Sequence, residues 1–157
     1  MQVSCRLLGK NDSSAYKVLR LESLQLHPEL YGASFKEQSE LNKLYFQTLL
    51  EEESEQGAMI GAFIGEKLVG LCGLLSLEGG RSLEVVQMYV SQAFRGRSLG
   101  GIMLQRAKSV LDSRVENELT LTVYKLNTAA IELYQKSKFE LVDQSEKEYR
   151  MSYQCSK

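Results

Sequence analysis

The stretch Gln87-Met88-Tyr89-Val90-Ser91-Gln92-Ala93-Phe94-Arg95-Gly96-Arg97-Ser98-Leu99-Gly100-Gly101-Ile102-Met103-Leu104 constrains the chain more than any other, because an apolar strand runs into a basic, glycine-rich turn that opens an amphipathic helix. Glycine lets the main chain approach a ligand closely. The first N–H groups of the helix lack intrahelical partners and carry the positive end of the dipole, which suits an anion such as a pyrophosphate. Arg95 and Arg97 add charge where its oxygens would lie. A Walker loop does not fit, since Gly100 is followed by Gly101 and Ile102 rather than by Lys and Ser or Thr. A dinucleotide fingerprint does not fit either, because the turn lies past mid-chain and lacks Gly-x-Gly-x-x-Gly spacing. The competing reading is a glycine turn without a ligand.

Around this junction the hydrophobic period alternates between strand and helix. Val3 to Leu8 reads as a strand, and Asp12 or Ser13 caps a helix with Val18, Leu19, Leu21, Leu24 and Leu26 on its apolar face, stopped by Pro28. A second helix is expected from Phe35 to Glu53, with Leu41, Leu44, Tyr45, Thr48 and Leu49 buried. Met59 to Ile64 and Leu68 to Leu75 form a hairpin, and Leu83 to Val90 leads into the basic turn. The helix after that turn directs Leu99, Ile102, Met103, Ala107, Val110 and Leu111 at a sheet. Leu119 to Tyr124, a helix from Thr128 to Lys136 capped by Asn127, Phe139 to Asp143 and Glu148 to Gln154 complete the series. An antiparallel start followed by βαβ predicts an α/β chain, or α+β with a mixed sheet, with helices on both faces.

At 157 residues, 1–157 form one domain, without linkers or repeats. A formal net charge of −1 with scattered Lys and Arg argues against a nucleic-acid partner. The apolar stretches are strand-length and Met1 to Arg6 has no signal core, so neither a membrane nor a secretory route is expected, and the chain reads as cytoplasmic. Cys5, Cys72 and Cys155 are widely spaced and His27 is the single histidine, which speaks against disulfides and against a metal site.

Arg95 to Gly100 resembles the acyl-CoA loop of the GNAT acetyltransferase superfamily, Arg/Gln-x-x-Gly-x-Gly/Ala, with Ser98 at the middle glycine. Asn127-x-x-Ala130-x-x-Leu133-Tyr134-x-x-x-Lys138-Phe139 is similar to a second motif of the same superfamily, with Lys138 in place of a glycine. A softer similarity runs from Leu19 to Gly32 and looks like one group of bacterial GNAT enzymes. The element order, β-α-α-β-β-β-α-β-α-β-β, also matches, so the resemblance covers nearly the whole chain. It implies a six- or seven-stranded, mostly antiparallel mixed sheet and an N-acetyltransferase that moves an acetyl group from acetyl-CoA, its co-substrate, to a primary amine, without a metal. It also allows a homodimer. The alternative is an acyl-CoA-binding sensor that has lost turnover.

By the resemblance, Met88, Tyr89 and Val90 run along the pantetheine, Arg95, Gly96, Arg97, Ser98, Leu99, Gly100 and Gly101 hold the pyrophosphate, and the N–H near Met88 serves the oxyanion. Asn127 touches the pantetheine or only caps its helix. The resemblance implies Tyr134 as the general acid, with its phenol near the thioester sulfur, and a phenol of pKa about 10 is protonated at neutral pH and can supply a thiolate of pKa about 8.5. Packing alone is the competing role for Tyr134. Glu84 is the candidate base, placed by alternation on one strand face with Val86, Met88 and Val90. It lies about 13 Å along the strand from Met88, so it acts through water or an extended substrate, or forms only a salt bridge. Direct attack in a ternary complex is favoured over a Cys-His route because no cysteine has an evident base. His27, Glu29, Tyr31 and Phe35 are expected to line the acceptor cleft, and Glu22, Glu29 and Glu84 would favour a cationic amine unless they are ordinary surface acids. Polyamine, amino acid, aminoglycoside and protein N-terminus all remain open as acceptors.

Overall fold

A computed structural model describes residues 2–77 and 79–155. Its elements run β1 (Val3–Leu7), α1 (Ser13–Leu26), α2 (Phe35–Ser39), α3 (Tyr45–Glu51), β2 (Gly57–Ile64), β3 (Lys67–Ser76), β4 (Ser82–Val90), α4 (Leu99–Asp112), β5 (Glu118–Tyr124), α5 (Thr128–Lys136), β6 (Glu140–Gln144) and β7 (Glu148–Gln154). The seven strands form one sheet in the order β1-β2-β3-β4-β5-β7-β6. Every neighbouring pair is antiparallel except β4 and β5. The parallel pair arises because α4 carries the chain from one strand to the next, as a crossover must. The mixed sheet with helices on both faces is as the sequence predicts.

Alternation along β2 and β3 feeds two cores. Ile60, Ala62, Leu74, Leu83 and Val85 pack with Leu99, Met103, Ala107 and Leu111 of α4 and with Tyr134 of α5. Met59, Phe63, Leu71 and Tyr89 pack on the other face with Tyr16 and Leu19 of α1 and Phe46, Leu49 and Leu50 of α3. The β2–β3 hairpin turns at Gly65, whose φ of +60° gives the turn hand that matches strand twist.

Three helical expectations need correction, the simplest being Ile102 of α4, which is 39% exposed while Leu104 takes the buried place. In α1 the buried face is Tyr16, Leu19, Arg20, Ser23 and Leu24, while Val18 is 71% exposed and Leu26 54%. The apolar residues span too wide an arc for one contact, and Tyr16 sets the phase by packing on Phe46 with ring centroids 6.2 Å apart. The continuous helix from Phe35 to Glu53 is instead α2 and α3, separated by residues 40–44. Leu44 is extended and its N–H donates to Oε1 of Gln47 at 2.9 Å, a cap that starts α3 afresh. The restart shifts the buried stripe by one residue, to Phe46, Gln47, Leu49 and Leu50, and leaves Tyr45 59% exposed.

Candidate active site

The sheet opens where the site lies. β4 and β5 pair only at Ser82–Glu118, Leu83–Leu119 and Glu84–Thr120, after which they part. From Val85 onward the β5-facing edge of β4 has no strand partner among the described residues. The other edge is disturbed as well. Against β3, Gly73 pairs with Val86 but Leu71 pairs with Tyr89, so β4 carries one extra residue, and Gln87 takes a left-handed φ of 56°. Such a bulge reverses the alternation after it. Glu84 and Val86 therefore belong to the α1/α3 face, whereas Met88 and Val90 pack against the α4/α5 core. The single face expected for Glu84, Val86, Met88 and Val90 is thereby corrected.

Two tyrosines hold the bulge. The Tyr16 hydroxyl donates to Oε1 of Gln87 at 2.6 Å, and the Tyr31 hydroxyl donates to the carbonyl of Met88 at 2.7 Å. Burial pushes both phenols up to about 12, so both stay protonated as donors.

Beside the open edge runs a groove of about 350 Å³, lined by Tyr31, Met88, Tyr89, Val90, Phe94, Arg95, Gly96, Ser98, Leu99, Gly100, Gly101, Asn127 and Leu133. Ten of the eleven residues assigned from sequence to a cofactor thus meet in one place; Arg97 instead lies over the Phe94 ring at 5.6 Å. The first capped bond of α4 is from the Ile102 N–H to the Ser98 carbonyl. The N–H groups of Leu99, Gly100 and Gly101 have no partner among the described residues, and no heavy atom lies within 4 Å of where a Cβ on Gly101 would stand. This cradle fits a pyrophosphate. Arg95 borders it while donating from Nε to the Val90 carbonyl at 3.0 Å, with Nη2 3.2 Å from His27 Nε2.

Three glycine positions read differently in three dimensions. Ser98 sits at φ 60°, in the left-handed region where a Cβ is strained and a glycine would be at ease. Lys138 sits at φ 72° in a Schellman turn: its N–H reaches the Gln135 carbonyl, and the Phe139 N–H reaches that of Tyr134. A Cβ on Gly100 would meet Leu133 Cδ2 at 2.8 Å, so a side chain there would force Leu133 to shift between α4 and α5.

At Tyr31, Met88, Asn127 and Ala130 the groove joins a cavity of about 440 Å³ that spans the split, with Arg20, Tyr31 and Phe46 on one face, Ala130 and Tyr134 on the other, and Glu84, Tyr124 and Glu148 between. Tyr134 is 6% exposed, and its hydroxyl has no hydrogen-bond partner among the described residues. Burial raises its pKa strongly, with the Cys72 thiol and Tyr31 adding in the same direction. Cys72 is fully buried and pushed up to about 12, a protonated thiol unsuited to nucleophilic work. Asn127 accepts the Ala130 N–H at 3.3 Å, the cap expected of it.

Of the four residues expected in the acceptor cleft, only Tyr31 lines the cavity. Phe35 borders a separate surface groove, and His27 and Glu29 lie together beside Arg95. Glu22 is engaged elsewhere, accepting from the hydroxyls of Tyr89 and Ser91. Sequence reasoning missed Arg20, Gln87, Tyr124 and Glu148. Arg20 had a signal: a charge four residues from Tyr16 and from Leu24 breaks an apolar stripe. Among the described residues no cluster of three or more His, Cys, Asp or Glu could hold a metal ion, and no helix is long and apolar enough to cross a membrane.

The family model of the acetyltransferase (GNAT) family matches residues 19–139, from α1 to the end of the Schellman turn. The chain belongs to the GNAT acetyltransferase family. No curated protein sequence matches it. GNAT structures match over almost their whole length. The PaiA N-acetyltransferase of Thermoplasma acidophilum, solved with coenzyme A, has a TM-score of 0.80 at 19% identity and covers 98% of this chain and 99% of its own. A GNAT acetyltransferase of Streptococcus pneumoniae gives 0.81 at 18%, covering 99% and 100%. YncA of Salmonella typhimurium, solved with acetyl-CoA, gives 0.78 at 15%, covering 100% and 96%. At these identities the likeness is one of fold, and it makes this sheet and its split the GNAT fold.

Proposed function

We propose that this GNAT protein is an N-acetyltransferase that moves an acetyl group from acetyl-CoA to a primary amine by direct attack in a ternary complex. The observation that carries the reading is the junction of the partnerless N–H groups of Leu99, Gly100 and Gly101 with a split sheet into which the Tyr134 hydroxyl opens. Acetyl-CoA supplies an acetyl thioester whose carbonyl carbon bonds to the amine nitrogen as the C–S bond breaks. The α4 N–H groups hold the pyrophosphate, with Ser98 and Gly96 at the turn and Arg95 and Arg97 at its rim. The free edge of β4 at Met88, Tyr89 and Val90 offers main-chain groups to the pantetheine amides, in the manner of an added strand. Near Met88 an N–H faces the carbonyl oxygen and stabilises the charge that develops there.

Tyr134 gives its proton to the departing sulfur. Its raised pKa keeps it protonated well into the alkaline range, and a thiolate released in the same poorly solvated place has its own proton affinity raised. Glu84 takes the proton that the amine loses, through water along the cavity wall. Glu84→Gln then slows turnover most at neutral pH and least near pH 10, where free amine is already populated.

The test is release of free CoA thiol from acetyl-CoA with a mixed panel of primary amines, beside calorimetry of CoA binding. Thiol release that depends on the amine supports transfer. CoA binding without release in any amine points to a binding module. Failure to bind CoA overturns the site.

A further inference from the structure

Arg20 is a buried cation with no anion. It is 7% exposed, its Nη1 is enclosed without a hydrogen-bond partner, and no carboxylate pairs with it among the described residues. Its surroundings are aromatic: the guanidinium carbon lies 5.1 Å from the Tyr31 ring centroid, and Tyr16 is the other close polar neighbour. Both tyrosine hydroxyls donate elsewhere, to Met88 and Gln87. An arginine stays charged in proteins, and a buried charge without a partner is destabilising. A side chain of this kind at position 20 is therefore a poor choice for packing alone, and it lines the central cavity.

Resting on the transferase reading above, we infer that the acceptor carries a carboxylate close to its amine, as a free amino acid does, and that Arg20 receives that carboxylate. A guanidinium is the side-chain cation best matched to a carboxylate, through charge-assisted hydrogen bonds. The anion is not one of the cofactor's, because Arg20 does not border the groove that leads to the α4 cradle. It stands on α1, 5.1 Å from the centroid of the Tyr31 ring, whose hydroxyl in turn reaches the Met88 carbonyl at 2.7 Å. Amine and carboxylate are then only a few bonds apart, since the nitrogen must reach the thioester beside Met88. Glu84 and Glu148, which line the same cavity, complement the ammonium end. A polyamine offers Arg20 only a like charge, and an aminoglycoside offers it no anion.

The test compares each of the twenty amino acids with its carboxamide as acceptor, by CoA thiol release, in the wild type and in Arg20→Gln. The carboxamide's amine is the less basic of the two, so more of it is unprotonated at neutral pH, and a preference for the acid there must come from the protein. The expected result is a kcat/KM at least about tenfold higher for the best amino acid than for its amide. That preference should vanish in Arg20→Gln mainly through KM, with CoA binding unchanged by calorimetry. Arg20→Met repeats the test with an apolar chain, so one variant that fails to fold does not end it. An amide used as well as its acid, or a preference that survives both substitutions, overturns the inference. If no amine releases thiol, transfer itself has failed, and the carboxylate site is decided by binding. N-acetylglycine and N-acetylglycinamide are titrated into CoA-saturated protein by NMR. Shifts with the acid alone, lost in the Arg20 variants, support the site; equal shifts overturn it.

Discussion

Lys138→Gly should make the protein more stable although it removes a side chain. Lys138 occupies the left-handed position of the Schellman turn at φ 72°, where a Cβ costs about 1–2 kcal/mol. Part of that gain is returned, because glycine adds about 0.4–1 kcal/mol of unfolded-state freedom. A second contribution has the same sign. Lys108 Nζ donates to the Ser137 carbonyl at 2.6 Å, and its pKa is lowered by burial first and by the charge of Lys138 second. Removing Lys138 relieves that repulsion. The net gain is about 1 kcal/mol, which for a domain of this size raises Tm by about 2–4 °C. Urea and thermal unfolding measure it directly, with an unchanged m-value. Gln135→Gly, three residues earlier and within α5, is the control, and it should lose about 1 kcal/mol. Equal signs for the two substitutions, or a Lys138→Gly protein no more stable than wild type, would refute the argument from backbone conformation.

Gly100→Val should lower both stability and CoA affinity, because its Cβ meets Leu133 and overpacking costs about 1–3 kcal/mol. Gly101→Ala should separate the two effects: calorimetry finds weaker CoA binding while Tm rises, since alanine favours the helix by up to about 1 kcal/mol. Tyr134→Phe should cut single-turnover acetyl transfer by about 100- to 10,000-fold with CoA affinity intact, and a wild-type rate would reassign Tyr134 to packing. Glu116 is held down to about 2 from 4.5, chiefly by Arg114 and further by Ser76. Its folded pKa is depressed, so its contribution is complete above pH 4.5 and is lost as pH falls towards 2. Acid unfolding of Glu116→Gln should therefore be flatter across that window and start from a lower stability at pH 7.

Most strands were legible because β2, β3, β4, β5 and β7 alternate or run apolar between turn residues. The groove beside β4 was legible because its strand, turn and helix start are contiguous in sequence, and ten of the eleven residues assigned to it line one groove. What escaped the sequence was set by contacts between distant segments. The α2–α3 break depends on Gln47 reaching back to Leu44. The bulge depends on Tyr16 and Tyr31 gripping Gln87 and Met88 from 71 and 57 residues away, and nothing in the local pattern of β4 reports an extra residue. Without the bulge, Glu84 and Met88 could not be told to lie on opposite faces. Arg20 is hidden differently: a lone charge among the apolar residues of α1 looks like a solvated side chain, and only the packing of Tyr16 and Tyr31 around it makes it a buried one.

The three residue pairs that join β4 to β5 divide the sheet into two plates, β1 to β4 and β5 to β6, linked by a narrow strip of main-chain bonds and by α4. An extended molecule lying in the split would work as a missing rung between those plates, adding main-chain bonds where only side-chain packing now joins them. Hydrogen exchange at Val85 to Val90 and at Leu121 to Tyr124 would then slow together when the split is filled, as if the fold had gained a strand.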